Sequence, residues 1–124
     1  MRTVAGILVA GGLGAGSRYW VDGVVSHFTQ GHLPWGTFVV NVTACLLLGL
    51  IFTVTTERAV GSSSMRLTLT TGFVASYSTF STLMLESVRL AEDGAYGWAL
   101  ANTAGSMVAG AIAVVAGIFI GRAL

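Results

Sequence analysis

Apolar residues run through this chain in four long blocks, at about residues 3–28, 35–56, 66–91 and 97–121, separated by short polar segments. Each block has about the 20 residues that an α-helix needs to cross a bilayer. The pattern predicts an all-α membrane protein of four transmembrane helices. The third block is unlike the others. Its middle reads Thr70-Thr71-Gly72-Phe73-Val74-Ala75-Ser76-Tyr77-Ser78-Thr79-Phe80-Ser81-Thr82-Leu83, crowded with hydroxyls, small residues and aromatic rings. A continuous helix in lipid satisfies its own backbone. An interrupted one must find partners for its freed N–H and C=O groups, or line a wet cavity with them. The run therefore predicts a broken third helix. Breaks at membrane depth expose half-helix ends with unpaired dipoles, which suit ions, so this stretch is the expected functional centre.

The first block carries no small-residue cleavage site followed by a soluble mature chain, so it does not read as a signal peptide. Its Gly11-Gly12-Leu13-Gly14-Ala15-Gly16 run places Gly12 and Gly16 four apart, on one helix face, where another helix could approach closely. No βαβ pattern surrounds these glycines, which rules against a dinucleotide site. Arg18, followed by Tyr19, Trp20 and Asp22, is costly in hydrocarbon. It has two compatible readings: an i,i+4 pair with Asp22 beside belt aromatics, or a cation at the mouth of an anion path. His27 and His32 read as polar surface, since no carboxylate or Cys completes a metal set. In the second block Thr37, Asn41 and Cys45 recur every four residues and share a face. Asn41 reads either as glue between helices or as a pore-lining donor.

Gly61-Ser62-Ser63-Ser64 is a flexible linker, and Glu86 and Arg89 are spaced for an i,i+3 ion pair at a helix end. In the fourth block Gly105, Ala109, Ala113, Gly117 and Gly121 form a ladder of small residues at period four, expected as an oligomer or bundle seam. Asn102 and Ser106 lie beside it and could add donors to a polar track.

Composition sharpens the class. Hydrophobic residues make up 54% of the chain and charged residues only 9%, too few to clothe a soluble domain of this size. The length suits a single membrane domain. All six basic residues are Arg, scattered rather than clustered, and the net charge is +1, which argues against a nucleic-acid partner. The lone Cys45 excludes a disulfide framework and reads as a packing residue. No nucleophile–base pair and no metal set is visible, so the chain is not expected to be an enzyme. Four spans would place Arg2, Arg58, Arg66 and Arg122 on one side, with Arg18 and Arg89 toward the other. That bias mildly favours cytoplasmic termini, and a bias this small permits insertion in either direction.

Three segments in register carry a resemblance: Gly11 through Tyr19, Gly36-Thr37-Phe38-Val39-Val40-Asn41, and Gly72 through Thr82 ending Ser78-Thr79-Phe80-Ser81-Thr82. Together they resemble the CrcB/Fluc family of fluoride channels over the whole chain. The resemblance implies a multi-pass protein of the cell membrane that exports fluoride passively as an antiparallel, dual-topology dimer with two pores. It also implies a structural sodium ion, not transported, held by backbone carbonyls at the third-span breaks; here these would be the carbonyls of Ala75 and Ser78. Carried over residue by residue, Asn41, Phe80, Ser81, Thr82 and Thr37 would line the pore and Arg18 would stand near its entrance.

The residues suit such a task. Fluoride holds its water tightly, so a pore must replace that hydration with donors at close range. Asn41 offers N–H groups, Ser81 and Thr82 offer hydroxyls, and Phe80 offers a positive ring edge. Two departures stand out. Val74-Ala75-Ser76-Tyr77 replaces the family's Cys-Gly-Gly and aromatic, and losing glycine restricts the backbone at the break. Leu83 stands where many members have a second pore phenylalanine, so one anion station would be missing or supplied by another subunit. This leaves two partners open, a second copy of this chain or an unlike sister chain, and also a role as an assembly subunit of a mixed channel. A coupled exporter of drugs or cations is the rival class. It needs a carboxylate deep in a span, whereas Asp22 and Glu86 sit toward the ends of theirs.

Overall fold

The computed structural model of the protein describes residues 1–124 and contains helices and no strands. Helix α1 is Arg2–Phe28 and α2 is Trp35–Thr56. The third block is a composite. Helix α3, Ser63–Leu67, widens into a π-helical segment, Thr68–Val74, and ends in the short α4, Ala75–Tyr77. Ser78 and Thr79 are extended, and α5 resumes at Phe80 and runs to Glu92. Helix α6, Tyr96–Ala123, completes the bundle. Helices α2 and α6 are each long and apolar enough to cross a membrane.

Local chemistry sets the ends. The Ser62 hydroxyl accepts the Met65 N–H at 3.1 Å and starts α3. Thr79 caps α5 in the same way, accepting the Thr82 N–H at 3.3 Å. Such caps satisfy N–H groups that a helix start leaves free. Gly94 turns the chain from α5 into α6 at φ +78°, a left-handed conformation that a side chain would strain. Within the π-helical segment the Thr70 hydroxyl donates to the Arg66 carbonyl at 2.9 Å, filling part of the loosened ladder. π-Helical insertions of this kind concentrate near functional sites.

Packing divides the bundle into two seams. Helix α2 lies along α6, while α1 lies along the π-helical segment and α4. Between the seams sits a small core of Val40, Ala44, Val74 and Tyr77. The buried Tyr77 hydroxyl is satisfied by Thr43 Oγ1 at 2.9 Å. Only 19 of 124 residues are buried, and the exposed set includes Leu8, Leu13, Phe52, Val108, Ile112 and Phe119. An apolar exterior on this scale fits a hydrocarbon surround.

Several sequence expectations are corrected here. The buried face of α6 is Asn102, Ser106, Gly110, Ala113, Gly117 and Gly121, with Gly105 exposed. A strict period of four drifts by about 40° per step around a 3.6-residue helix, so the ladder leaves the seam at its upper end. Gly12 and Gly16 face open space; the close approach of α1 is made at Gly14, whose Cβ would strike the Phe73 backbone. Neither anticipated ion pair forms: the one salt bridge joins Arg122 Nε and Glu57 Oε2 at 2.8 Å. Arg18 and Asp22 line one cavity without pairing, and the Glu86 carboxylate accepts from Thr37 instead of meeting Arg89.

Candidate functional site

The interruption at Ser78–Thr79 frees backbone groups in the middle of an apolar bundle. Their main partner comes from α2. Thr79 donates its N–H to Asn41 Oδ1 at 2.8 Å, and Asn41 Nδ2 donates to the Thr79 carbonyl at 3.0 Å. One carboxamide thus closes both hydrogen bonds of one peptide residue, as a neighbouring strand would. The reach follows from position: Asn41 lies one turn after Thr37 on α2, facing the break. Of the two readings that the sequence left open for Asn41, the structure adds a third element, because the side chain holds the break itself. One Asn41 N–H is left without a partner in the chain.

A cavity lies on each side of this pair. The first, ≈ 320 Å³, is lined by Asn41, Cys45, Ser78, Phe80, Leu83 and Ser106 among others. The Ser106 hydroxyl is buried there with no hydrogen-bond partner. The second, ≈ 220 Å³, is lined by Ala15, Arg18, Tyr19, Asp22, Thr37, Val40, Thr79 and Thr82. Arg18 and Asp22 thus share a polar recess. Thr37 donates to Glu86 Oε1 at 2.7 Å, and Glu86 Oε2 is buried without a partner. On the far side of Glu86 a third recess, ≈ 190 Å³, is lined by His32, Pro34, Glu86, Arg89, Leu90 and Asp93.

The structure therefore sets Thr37, Thr82 and Arg18 around the second cavity and Asn41 and Phe80 on the first, with Asn41 tied to Thr79 between them. Phe80 nonetheless stays 70% exposed, and Ser81, also exposed, lines neither cavity. Leu83 is buried and lines the first cavity from within. Ala75 is exposed and Ser78 half-buried. Ala75 is right-handed helical, at φ −65° and ψ −32°, and no residue of the break has positive φ. Replacing glycine there demands no strained backbone, so the expected restriction costs nothing. The residues that the sequence reading passed over are Thr79 and the Thr37–Glu86 contact. A threonine directly before an apolar helical run is a start signal, so Thr79 could have been found; the Thr37–Glu86 contact joins positions 49 apart and left no local trace.

An all-helical membrane protein with a polar break clasped from a neighbouring helix is the class that fold and site define. This chain belongs to the CrcB family: residues 5–118 match the family described as CrcB-like protein, Camphor Resistance (CrcB). It is similar to the fluoride-specific ion channel FluC of Solidesulfovibrio magneticus, 40% identical over 116 residues that cover 94% of this chain and 93% of that one. It is also similar to the fluoride-specific ion channel FluC 1 of Streptomyces avermitilis, 40% identical over 119 residues and 95% of both chains. The FluC of Geotalea uraniireducens is 38% identical across the full length of both.

Proposed function

We propose that this chain conducts fluoride passively and selectively across the cell membrane, lowering its concentration inside the cell. The observation that carries the reading is the clasped break between two cavities, in a chain this similar to fluoride-specific channels. An anion leaving water needs donors at close range in a low-dielectric site. Asn41, with its free N–H, and Ser106 line the first cavity, while Thr82 and Arg18 line the smaller, more polar one. The groups on offer are hydrogen-bond donors and the Arg18 cation, with the Asp22 carboxylate in the same recess. The reading is a channel, in keeping with the relatives' description as fluoride-specific ion channels.

The exposed Phe80, Ser81 and Ala75 support an antiparallel, dual-topology dimer, because a pore wall left open on one chain can be closed by another. The partner is a second copy of this chain or a sister chain. The buried Leu83 favours neither, since its side chain belongs to this chain's own packing. The carbonyls of Ala75 and Ser78 suit the sodium ion that such a dimer would hold. They lie at a helix end, where carbonyls lack helical partners, and hard oxygen donors of this type suit a hard cation. When bound, sodium would supply positive charge to a cluster of carbonyl dipoles.

The test is efflux from liposomes holding the purified chain, with fluoride and chloride measured separately and no proton gradient. Rapid fluoride loss with chloride retained is expected. Fluoride loss that needs a proton gradient, or equal loss of chloride, would overturn the reading in favour of an exchanger or an unselective pore.

A further inference from the structure

A path for an anion must present hydrogens and hide lone pairs. Asn41 and Thr82 each carry both kinds of group, so their chemistry alone does not make them anion donors. What decides their orientation is Thr79. Its N–H occupies Asn41 Oδ1 at 2.8 Å, and its carbonyl takes one Asn41 N–H at 3.0 Å. Its hydroxyl accepts the Thr82 N–H at 3.3 Å, which commits its own hydrogen elsewhere, and that hydrogen goes to Thr82 Oγ1 at 2.9 Å. The Thr82 oxygen is thereby engaged as an acceptor, and its own O–H hydrogen is left with no partner in the chain. Thr79 and Thr82 line the polar cavity that also holds Arg18, Asp22 and Thr37, while Asn41 lines the neighbouring one.

We propose that Thr79 is the positioning residue of the conduction site: it engages the acceptor atoms of Asn41 and Thr82 and leaves one Asn41 hydrogen and the Thr82 hydroxyl hydrogen free for an ion passing between the two cavities. This rests on the fluoride reading above and names a residue that the reading does not itself require. The backbone half of the arrangement survives any substitution at Thr79. The hydroxyl half does not, and it is the half that can be tested. Without the Thr79 O–H, the Thr82 hydroxyl is free to turn a lone pair toward the cavity, where an anion would be repelled.

The experiment compares Thr79→Val, Thr79→Gly and Thr79→Ser in proteoliposomes, each alone and combined with Thr82→Val. Valine keeps the volume; glycine is tolerated at helix starts and guards against a loss due to folding. Fluoride flux from the natural chain in the same run decides the underlying reading, so its failure is separable. Serine is expected to stay within about twofold of the natural chain, while valine and glycine each fall by about tenfold, the scale of one hydrogen bond to a charged group. Because Thr79 acts through Thr82, neither should lower flux further in the Thr82→Val background. Equal losses in the serine and valine variants, or losses that multiply in the double variants, would overturn the proposal and leave Thr79 a helix cap only.

Discussion

The two seams of the bundle use the same device to opposite ends. Along α2 and α6, Gly117 lets backbones approach so closely that its Cβ would strike the Leu46 carbonyl and lie 2.8 Å from the Leu50 nitrogen. Along α1, Gly14 does the same against Phe73. The first seam joins two unbroken helices whose backbones are satisfied within themselves, and it makes a wall. The second holds a helix that is π-wound and then interrupted, and its backbone must borrow partners from Asn41. Close packing alone therefore does not mark a functional site in this chain. The candidate site lies where close packing meets an unsatisfied backbone.

The largest expected effect breaks the second seam without touching the first. Asn41→Asp removes the donor to the Thr79 carbonyl and sets a carboxylate against that oxygen, while the size of the side chain barely changes. A buried hydrogen bond lost with its partner left unsatisfied costs about 1–3 kcal/mol, more when a charge is involved. It also places a like charge on the proposed anion path. Fluoride flux should be abolished and thermal unfolding in detergent should fall by several degrees. Normal flux at matched incorporation would return Asn41 to the role of helix glue.

The wall is tested next. Gly117→Val pushes side-chain atoms into the α2 backbone, and overpacking of this kind costs about 1–3 kcal/mol. Gly16→Val, on the same type of small-residue spacing, meets nothing within 4 Å. The first should lower the unfolding temperature and the monodisperse yield, and the second should leave the chain's own fold unchanged. Equal losses would mean that both glycines pack within the chain. Gly16 loss alone would place a partner on that face of α1.

Much of this contrast was legible in the residues. Hydroxyls massed between Thr70 and Thr82 announced an interruption because an intact helix has no use for them, and the break falls at Ser78 and Thr79. The α6 seam was visible only in part, since reading small residues at period four ran Gly105 off a face that turns every 3.6. Pairings across the bundle were not legible. Thr37 with Glu86 and Asn41 with Thr79 join residues 49 and 38 apart, and they depend on how the helices are rotated. Charge spacing misled for the same reason: Arg18 and Asp22 are spaced as a pair, yet they line the cavity beside the break without pairing. Exposure of Phe80 could not be read either, because an aromatic ring in an apolar run looks the same facing a core, lipid or a second chain.

A third prediction sharpens the wall's character. Thr53 is fully buried between α2 and α6, with its hydroxyl unpartnered. A wall needs no donors, and replacing an unsatisfied hydroxyl with a methyl of the same shape is neutral or stabilising. Thr53→Val should raise stability by about 1 kcal/mol, read as a small upward shift in unfolding temperature with flux unchanged. A clear loss of flux would instead extend the site into this seam.

The smallest effect concerns the wall's end, where Glu57 just beyond α2 meets Arg122 near the end of α6. Arg122 Nε and Nη2 donate to the two carboxylate oxygens at 2.8 Å each, and Arg58 adds a bond from its guanidinium to the Arg122 carbonyl at 3.1 Å. The hydrogen bond from Arg122, helped by its charge, holds the Glu57 carboxyl below its ordinary value of 4.5. A carboxyl lowered in the folded state favours folding above its unfolded value, and that contribution fades as pH drops through the folded one. The pair is fully exposed to water, so the contribution is small and salt weakens it. Unfolding temperature should therefore be flat from pH 7 down to about 5 as far as this pair is concerned, then decline below that. Glu57→Gln should remove the pair's share of the decline, and the difference from the natural chain should shrink in high salt. An acid decline identical in both proteins would mean that the wall is held by its glycine packing alone.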